Sequence, residues 1–341
     1  MRVRPVREGE GDRLRELRLR ALADAPDAFV ATVERDAARP ARQWADLAAG
    51  GAVFVAEREA EWAGLAGVRP AGEDSADVWG MWVAPEHRGA GVGRALIDAV
   101  AAWARPRGLG RLQLGVSEAA PAAEAMYAAA GFVRTGASRP LRELVQHDMV
   151  LALEPWEPRI ETERLLIRRY LPADFDAMHA MRSREDVVRW LYEDPPTVEE
   201  DRERFERRLN RTRFTHSGDG IAFAVEREGV LVGDVSLTLH SAEHRQGEIG
   251  FIVHPDHQGR GYATEAARAI LELAFGTFGL HRVRGTLEAR NAASARVLEH
   301  LGMRCEAHLV ENEWVKGEWQ SERVYALLQR EWAQSQSRRR K

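Results

Sequence analysis

Two short glycine-rich segments have the residue types and the spacing of an anion-binding loop. Residues 83–94 read VAPEHRGAGVGR and residues 253–264 read VHPDHQGRGYAT, and their valines, prolines, histidines and first two glycines align at one constant offset. Glycine lets several backbone N–H groups converge on one point, and a helix that follows adds the positive end of its dipole. The ligand that this arrangement predicts is a diphosphate.

The flanking residues place each loop between a strand and a helix. Apolar, β-prone residues run over 78–83 and 248–253, and a proline ends each run. Behind the loops, apolar residues recur at helical spacing over 95–103 and 266–275. Since strand, loop and helix occur twice, and Gly-Phe at 131–132 has a counterpart in Gly-Met at 302–303, the sequence predicts two duplicated domains.

Length and composition agree with an ordinary globular protein of two domains. The chain has 341 residues, more than one core usually holds, and its net charge of -4 provides no global basic field for nucleic acid. The single cysteine, Cys305, excludes an intrachain disulfide and is expected to be a buried thiol in a strand. Because there is no apolar signal core and no membrane-length apolar run, we expect a cytoplasmic protein without membrane contact.

Two nucleotide-binding motifs fail at particular residues. A P-loop needs Gly-Lys-Ser/Thr, but Gly93 is followed by Arg94 and an alanine. A dinucleotide fingerprint needs a third glycine where Arg94 and Thr264 stand. The pattern Arg/Gln-x-x-Gly-x-Gly/Ala does fit both loops, and it resembles the coenzyme A loop of the GNAT superfamily of N-acetyltransferases.

The resemblance extends over most of the chain. Residues 1–153 are similar to a GNAT domain, with Ala-Met-Tyr at 125–127 and Gly-Phe at 131–132. Residues 160–333 resemble the Rim-type branch of ribosomal-protein N-terminal acetyltransferases, through TERLLIR at 162–168 and Asn-x-x-Ser at 291–294. Residues 154–159, with two prolines, are the expected linker, and the basic residues 334–341 the expected disordered tail. The implied fold class is α/β (α+β), with a mixed, largely antiparallel twisted sheet flanked by helices in each domain.

The resemblance also implies acetyl-CoA as co-substrate and assigns its contacts. Backbone N–H groups of both loops would hold the diphosphate, those of Val83 and Val253 would polarise the thioester carbonyl, and Asn291 would contact the coenzyme arm. The residues expected to bind the coenzyme are therefore Val83, Arg88, Gly89, Ala90, Gly91, Val92, Gly93, Arg94, Val253, Gln258, Gly259, Arg260, Gly261, Tyr262, Ala263, Thr264 and Asn291.

Three side chains are candidates for the chemistry. In the first domain the resemblance makes Tyr127 the proton donor to the departing thiolate, with an aromatic packed on the helix face as the alternative. In the second domain no tyrosine stands at that position, and Ser294 takes the role by resemblance; a helix N-cap is the alternative for Ser294 and for Asn291. Glu248 is the candidate base, or else a residue that holds substrate or a neighbouring strand, and Asp77 is its weaker analogue in the first domain.

These features predict an acetyl-CoA-dependent N-acetyltransferase in which a primary amine attacks the thioester directly. Cys305 has no nucleophile context and the histidines have no metal-ligand spacing, so neither a covalent intermediate nor a metal is expected. The choice between a small-molecule amine and a protein N-terminus is left open, as is a homodimer. The rival prediction is a coenzyme A-binding regulatory or scaffolding protein with one degenerate half. That half would be the first, because Ala120 replaces a family asparagine and no clear carboxylate base is present.

Overall fold

The computed structural model describes residues 1–192 and 194–339 (of Arg339, the backbone only). The chain forms two compact units, one of Met1–Trp156 and one that begins at Glu157. Each unit contains one of the two glycine-rich loops. Among the residues described, no helix is both long enough and apolar enough to cross a membrane.

An open seven-stranded sheet forms the first unit. Its strands are β1 (Arg2–Pro5), β2 (Val53–Arg58), β3 (Glu61–Pro70), β4 (Ser75–Val83), β5 (Arg111–Ser117), β6 (Val133–Leu141) and β7 (Leu144–Ala152). They follow the order β1-β2-β3-β4-β5-β7-β6, in which β4 and β5 run parallel and the other neighbours antiparallel. The helices are α1 (Gly11–Asp24), α2 (Val33–Ala37), α3 (Ala41–Ala49), α4 (Val92–Ala104) and α5 (Pro121–Ala129).

Helices cover both faces of this sheet. Adjacent residues of a strand point to opposite faces, and so Phe54 belongs to one apolar core and Val55 to the other. The core that contains Phe54 also contains Leu96 of α4, whereas Val55 shares its core with Leu14 of α1 and Trp44 of α3. Helix α4, and the loop that precedes it, are therefore anchored by apolar burial on one face of the sheet.

The second unit is built on an open eight-stranded sheet. Its strands are β8 (Arg159–Glu161), β9 (Leu166–Arg169), β10 (Gly220–Arg227), β11 (Val230–Ser241), β12 (Gln246–Val253), β13 (Arg282–Glu288), β14 (Arg304–Val315) and β15 (Glu318–Leu328). The order is β14-β15-β13-β12-β11-β10-β9-β8, and here β12 and β13 are the parallel neighbours. The helices are α6 (Phe175–Arg182), α7 (Glu185–Val188), α8 (Val198–Asn210), α9 (Tyr262–Glu272), α10 (Ala292–His300) and α11 (Gln329–Arg339).

In both units the two parallel strands diverge. β4 and β5 pair over residues 75–77 and 111–113, and β12 and β13 pair over residues 246–248 and 282–284. Since the strands continue beyond these short pairings, a wedge opens between them, and each glycine-rich loop follows at its open end. The predicted fold class, a mixed and largely antiparallel sheet flanked by helices in each domain, is confirmed.

Two features of local structure differ from the expectations. Residues 334–339 of the tail expected to be disordered continue α11, which packs the ring of Trp332 against Phe275 with 5.9 Å between ring centroids; Arg340 and Lys341 lie outside the described residues. Cys305, expected to be buried, is exposed, because β14 is an edge strand whose residues are mostly open to solvent.

Candidate active site

The two glycine-rich loops have the same backbone conformation. Gly89 and Gly91 have φ angles of 76° and 77°, and Gly259 and Gly261 have φ angles of 74° and 81°. This left-handed region costs a residue with a side chain about 1–2 kcal/mol. Glycine is therefore required twice in each loop, at the same two places, which accounts for the aligned spacing in the sequence.

The first turn of each following helix supplies N–H donors. Helices α4 and α9 begin directly after Gly91 and Gly261, and the first N–H groups of a helix have no acceptor within the helix. These first turns are formed by predicted coenzyme contacts, namely Val92, Gly93, Arg94, Tyr262, Ala263 and Thr264. With the N–H groups of the loops, which also contain Ala90 and Arg260, they form a cradle of backbone donors that fits a diphosphate.

The side chains of Arg88 and Gln258 make corresponding contacts with the strands that precede the two loops. Arg88 Nε donates to the carbonyl oxygen of Val83 at 3.1 Å, and its guanidinium also pairs with Asp24. In the second unit, Gln258 Nε2 donates to the carbonyl oxygen of Val253 at 3.0 Å. Both side chains thus turn back and fasten the loop to the end of the preceding strand, a contact that the aligned Arg/Gln position did not reveal.

The second unit contains a cavity of about 1220 Å³. It extends along the wedge between β12 and β13 and reaches the glycine-rich loop. The predicted site residues that line it come from the strand, the loop and α10 with its N-cap: Glu248, Val253, Gln258, Gly259, Gly261, Tyr262, Ala263, Thr264, Asn291 and Ser294. Arg260 lies outside this lining, and its Nη2 donates to the carbonyl oxygen of Asp256 at 3.1 Å.

Asn291 and Ser294 meet at the start of α10. Asn291 is the N-cap, and its Oδ1 accepts a hydrogen bond from the backbone N–H of Ser294 at 3.0 Å. The N-cap alternative therefore holds for Asn291. Ser294 stands in the first turn of the helix, and both residues also face the cavity.

Glu248 is held by an arginine that the sequence did not single out. Arg284 Nε and Nη2 donate to Glu248 Oε2 at 3.0 and 2.8 Å. The two residues stand opposite each other in the short parallel pairing of β12 and β13, and each side chain is 31% exposed. Because both bonds end on Oε2, the carboxylate has a set orientation toward the cavity that both residues line.

Tyr127 lies in the apolar core of the first unit. It is 7% exposed, and its ring packs edge-on against Phe132 with 5.6 Å between centroids. Burial raises the pKa of its hydroxyl above the ordinary value. Tyr127 shares its core with Val92 of the loop helix, and the neighbouring Met126 packs against Gly93. The packed-aromatic alternative therefore describes this side chain.

In the first unit the sequence also singled out Asp77, whose carboxylate is engaged by other side chains, and Ala120, which has no polar side chain. Asp77 accepts hydrogen bonds from Arg69 Nη2 at 3.1 Å and from Gln113 Nε2 at 2.7 Å. Ala120 is the N-cap of α5 and makes no side-chain capping bond, whereas Asn291 caps the corresponding helix of the second unit. The two units thus differ in the residues around the glycine-rich loop although the loops agree.

Family comparisons agree with this geometry. Residues 17–132 match the model of the "Acetyltransferase (GNAT) family", and residues 164–304 match that of the "Acetyltransferase (GNAT) domain". The uncharacterized N-acetyltransferase YnaD of Bacillus subtilis is 34% identical over 173 residues, which are 51% of this chain and 98% of that protein. The chain belongs to the GNAT acetyltransferase family. The predicted tandem of two GNAT domains is confirmed, and with it an acetyltransferase that uses acetyl-CoA as its donor substrate.

Two further relatives are similar to about half of the chain. The spermidine N(1)-acetyltransferase of Vibrio cholerae is 26% identical over 167 residues, 48% of this chain and 93% of that enzyme. The crystal structure of a GNAT acetyltransferase from Bacillus anthracis has 33% sequence identity and a TM-score of 0.46, with 51% of this chain and all of that chain covered.

The cavity of the second GNAT domain has an acidic end that the sequence did not predict. Tyr192, Glu288 and Glu322 line it, and the Tyr192 hydroxyl donates to the Glu322 carboxylate. Glu288 and Glu322 stand directly opposite each other on β13 and β15, and Glu288 is only 3% exposed. Burial, together with the hydrogen bond to Glu322 and the nearby carboxylates, raises the pKa of Tyr192. Strand pairing brings the two glutamates together, so only the register of the sheet could have revealed this pair.

Metal-ligating side chains do not assemble in the described part of the chain. No group of three or more His, Cys, Asp or Glu residues lies close enough to hold a metal ion there. His257 precedes the second loop and packs edge-on against His254 with 5.7 Å between ring centroids. Burial lowers the pKa of His257.

Proposed function

We propose that this protein transfers the acetyl group of acetyl-CoA to a primary amine, and that the cleft of the second GNAT domain carries out the reaction. One observation carries the proposal: a single cavity is lined by the coenzyme loop, by Glu248 and by Ser294. A donor site, a candidate base and a candidate acid are thus available to one bound pair of substrates.

The residues of the second domain have distinct roles in this reaction. The loop after Gly259 holds the diphosphate, and the N–H of Val253 stabilises the oxyanion that forms when the amine nitrogen attacks the thioester carbonyl. The new C–N bond replaces the C–S bond without a covalent enzyme intermediate. Ser294 donates its hydroxyl proton to the departing thiolate, so that coenzyme A leaves as the thiol, and the serine regains a proton from solvent. In the first domain, Val83 stands in the position of Val253.

Glu248 receives the proton that the amine must lose. An alkyl ammonium with a pKa near ~10.4 costs about 4–5 kcal/mol to deprotonate at neutral pH. Arg284 holds Glu248 Oε2, which leaves Oε1 to contact the acceptor directly or through a water. An N-terminal α-amine with a pKa near ~8 costs only about 1 kcal/mol and needs this help less.

The acidic end of the cavity favours a cationic small-molecule acceptor. Glu288 and Glu322 are opposed carboxylates, an arrangement that is unfavourable unless a positive charge lies close by. Arg290 provides part of that charge, with Nε 2.8 Å from Glu288 Oε1. Because the relatives include spermidine acetyltransferases, we propose a polyamine as the acceptor class. The Rim-type likeness of this domain supports a protein N-terminus as the competing acceptor.

For the first GNAT domain we propose coenzyme binding with reduced turnover. The observation that favours this is the placement of Tyr127 in the apolar core, where its hydroxyl is largely withdrawn from solvent. Asp77 is likewise engaged by Arg69 and Gln113. This half would then regulate or stabilise its active neighbour.

The test removes one hydroxyl from each domain. We expect Ser294→Ala to lower kcat for spermidine by about 100-fold, the usual share of a general acid, with an unchanged dissociation constant for acetyl-CoA. Tyr127→Phe is the matched deletion in the first domain and should have the smaller effect. Release of free thiol measures turnover, and calorimetry measures binding. A larger loss from Tyr127→Phe would move the chemistry to the first domain, and no association of acetyl-CoA would refute the whole proposal.

A further inference from the structure

The second glycine-rich loop is held by a segment that precedes it by about 100 residues. Glu265, in the first turn of α9, accepts hydrogen bonds at Oε1 from Thr162 Oγ1 at 2.6 Å and from the backbone N–H of Arg164 at 2.9 Å. Its Oε2 accepts from Arg164 Nε at 2.7 Å. The carboxylate at the start of the coenzyme helix is thus bound by the N-terminal hairpin of its own domain.

Arg164 contacts the loop itself as well as the helix. Its Nη1 donates to the carbonyl oxygen of Arg260 at 2.9 Å, and its guanidinium lies over the ring of Tyr262 at 4.9 Å from the centroid. A methyl group on Gly261 would come within 3.4 Å of Arg164 Nη2. One side chain therefore reaches three consecutive positions of the loop, from its middle to the first residue of α9.

The first loop is fastened by a different residue at a different point. Asp24, the last residue of α1, accepts a hydrogen bond from Trp82 Nε1 at 2.8 Å and pairs with the guanidinium of Arg88. Arg88 Nε in turn donates to the carbonyl oxygen of Val83 at 3.1 Å. The contact thus holds the start of the loop to the end of β4, whereas Arg164 holds the end of the second loop to α9.

The residues that receive Arg164 in the second domain are replaced in the first. By the alignment of the two loops, Val92 stands in the place of Tyr262, and an alanine stands in the place of Glu265. Neither replacement offers an aromatic face or a carboxylate to an arginine. The two loops therefore share a backbone conformation and the bond of Arg88 or Gln258 to the preceding strand, but the contacts of Arg164 have no counterpart at the first loop.

Such supports matter because the loop binds through the directions of its N–H groups. A loop that is ordered before the ligand arrives loses less conformational entropy on binding, and its affinity is correspondingly higher. We propose that Arg164 is the positioning residue of the second diphosphate loop and Asp24 that of the first. The order of each loop, and the coenzyme affinity of each site, would then depend on a different residue. This proposal depends on the proposed function, because it takes both loops as coenzyme A sites.

The experiment uses the full chain and two conservative variants. Arg164→Lys keeps the positive charge, but an ammonium lacks the planar fork that bonds Glu265 and the Arg260 carbonyl together. Asp24→Asn keeps the size of the side chain and removes its charge. Arg159→Lys is the matched control, since Arg159 lies on the same hairpin and pairs with Glu161 at 3.1 Å, away from the loop.

Two measurements are made on each variant. Calorimetry with coenzyme A gives the dissociation constants, and hydrogen exchange read by mass spectrometry follows residues 89–94 and 259–264 separately. We expect Arg164→Lys to weaken the second site by about tenfold or more and to speed exchange of 259–264, with the first site unchanged. Asp24→Asn should do the reverse, and Arg159→Lys should change neither.

Other results would overturn either this proposal or the proposed function. Unchanged exchange of the loop, or wild-type affinity in Arg164→Lys, would overturn the proposal, as would a variant that weakens both sites equally. A fall in thermal stability without faster loop exchange would show a structural role alone and would also overturn it. If the unmodified protein binds no coenzyme A, the proposed function fails, whereas the exchange of each loop still decides whether Arg164 and Asp24 position it.

Discussion

Replacement of Gly261 by alanine is expected to separate backbone strain from steric contact. Gly261 joins the second loop to α9 with a φ angle of 81° and a ψ angle of 3°. An alanine in this left-handed conformation costs about 1–2 kcal/mol. The added methyl would meet Arg164 Nη2 at 3.4 Å, an ordinary van der Waals distance. The loss of stability should therefore come from the backbone, at about 1–2 kcal/mol.

The assay is thermal unfolding of the full chain, and calorimetry records the transition temperature. For a domain of this size each kcal/mol shifts Tm by about 2–4 °C, so the transition of the second domain should fall by about 2–8 °C. Gly276→Ala is the matched control, because Gly276 is exposed, has an ordinary φ angle and has no atom within 4 Å of an added methyl. The same chemical change at this site should raise stability by about 0.4–1 kcal/mol.

Coenzyme binding provides the second half of this test. A ligand at 100 times its dissociation constant stabilises the folded state by about 2.7 kcal/mol. Acetyl-CoA should therefore raise the transition of the unmodified second domain, and the rise should be smaller in Gly261→Ala because the loop N–H groups are displaced. The reasoning is refuted if Gly261→Ala and Gly276→Ala shift Tm in the same direction, or if acetyl-CoA stabilises both variants equally.

Two more predictions concern carboxylates held by arginine. Glu248→Gln should lower kcat for spermidine by about 100-fold, and the loss should be smaller for an acceptor amine with a pKa of about 8. Steady-state kinetics with both acceptors measures these losses. Equal losses would contradict a role of Glu248 in deprotonation. The hydrogen bond from Arg4 lowers the pKa of Glu57 from 4.5 to about 2, so this carboxylate stabilises the first domain above pH 4.5 and loses that effect as the pH falls toward 2. Glu57→Gln should therefore reduce the difference in urea midpoint between pH 6 and pH 3; an unaltered difference would rule out this contribution.

Much of the fold was predictable because its signals are local. A glycine with a positive φ angle, a helix that starts directly after it and an apolar strand before it are properties of adjacent residues, and they occur in both loops. The repeat of that pattern predicted two domains, and the resemblance to the GNAT superfamily implied their fold class. The exposure of Cys305 was not predictable in this way, because it depends on β14 being the edge strand of the sheet.

The candidate site was predicted in its residue types but not in its contacts. Asn291 and Ser294 were identified through the resemblance to Rim-type enzymes, and the hydrogen bond between them is local to the start of α10. Arg284 was missed, although it orients Glu248, because the two residues are 36 positions apart and meet only through the parallel pairing of β12 and β13. The acidic pair of Glu288 and Glu322 escaped notice for the same reason.

The amino-acid sequence by itself determined the two glycine-rich loops and the duplicated domains, since these follow from short-range spacing and from backbone positions that glycine adopts most readily, and the resemblance of these residues to a known family indicated the acetyltransferase. Only the tertiary structure decided that Tyr127 is enclosed in a core, that Arg88 faces Asp24, and that Arg164 supports a loop about 100 residues away. These contacts join distant parts of the chain, and such pairs become neighbours only when strand order and helix packing are complete.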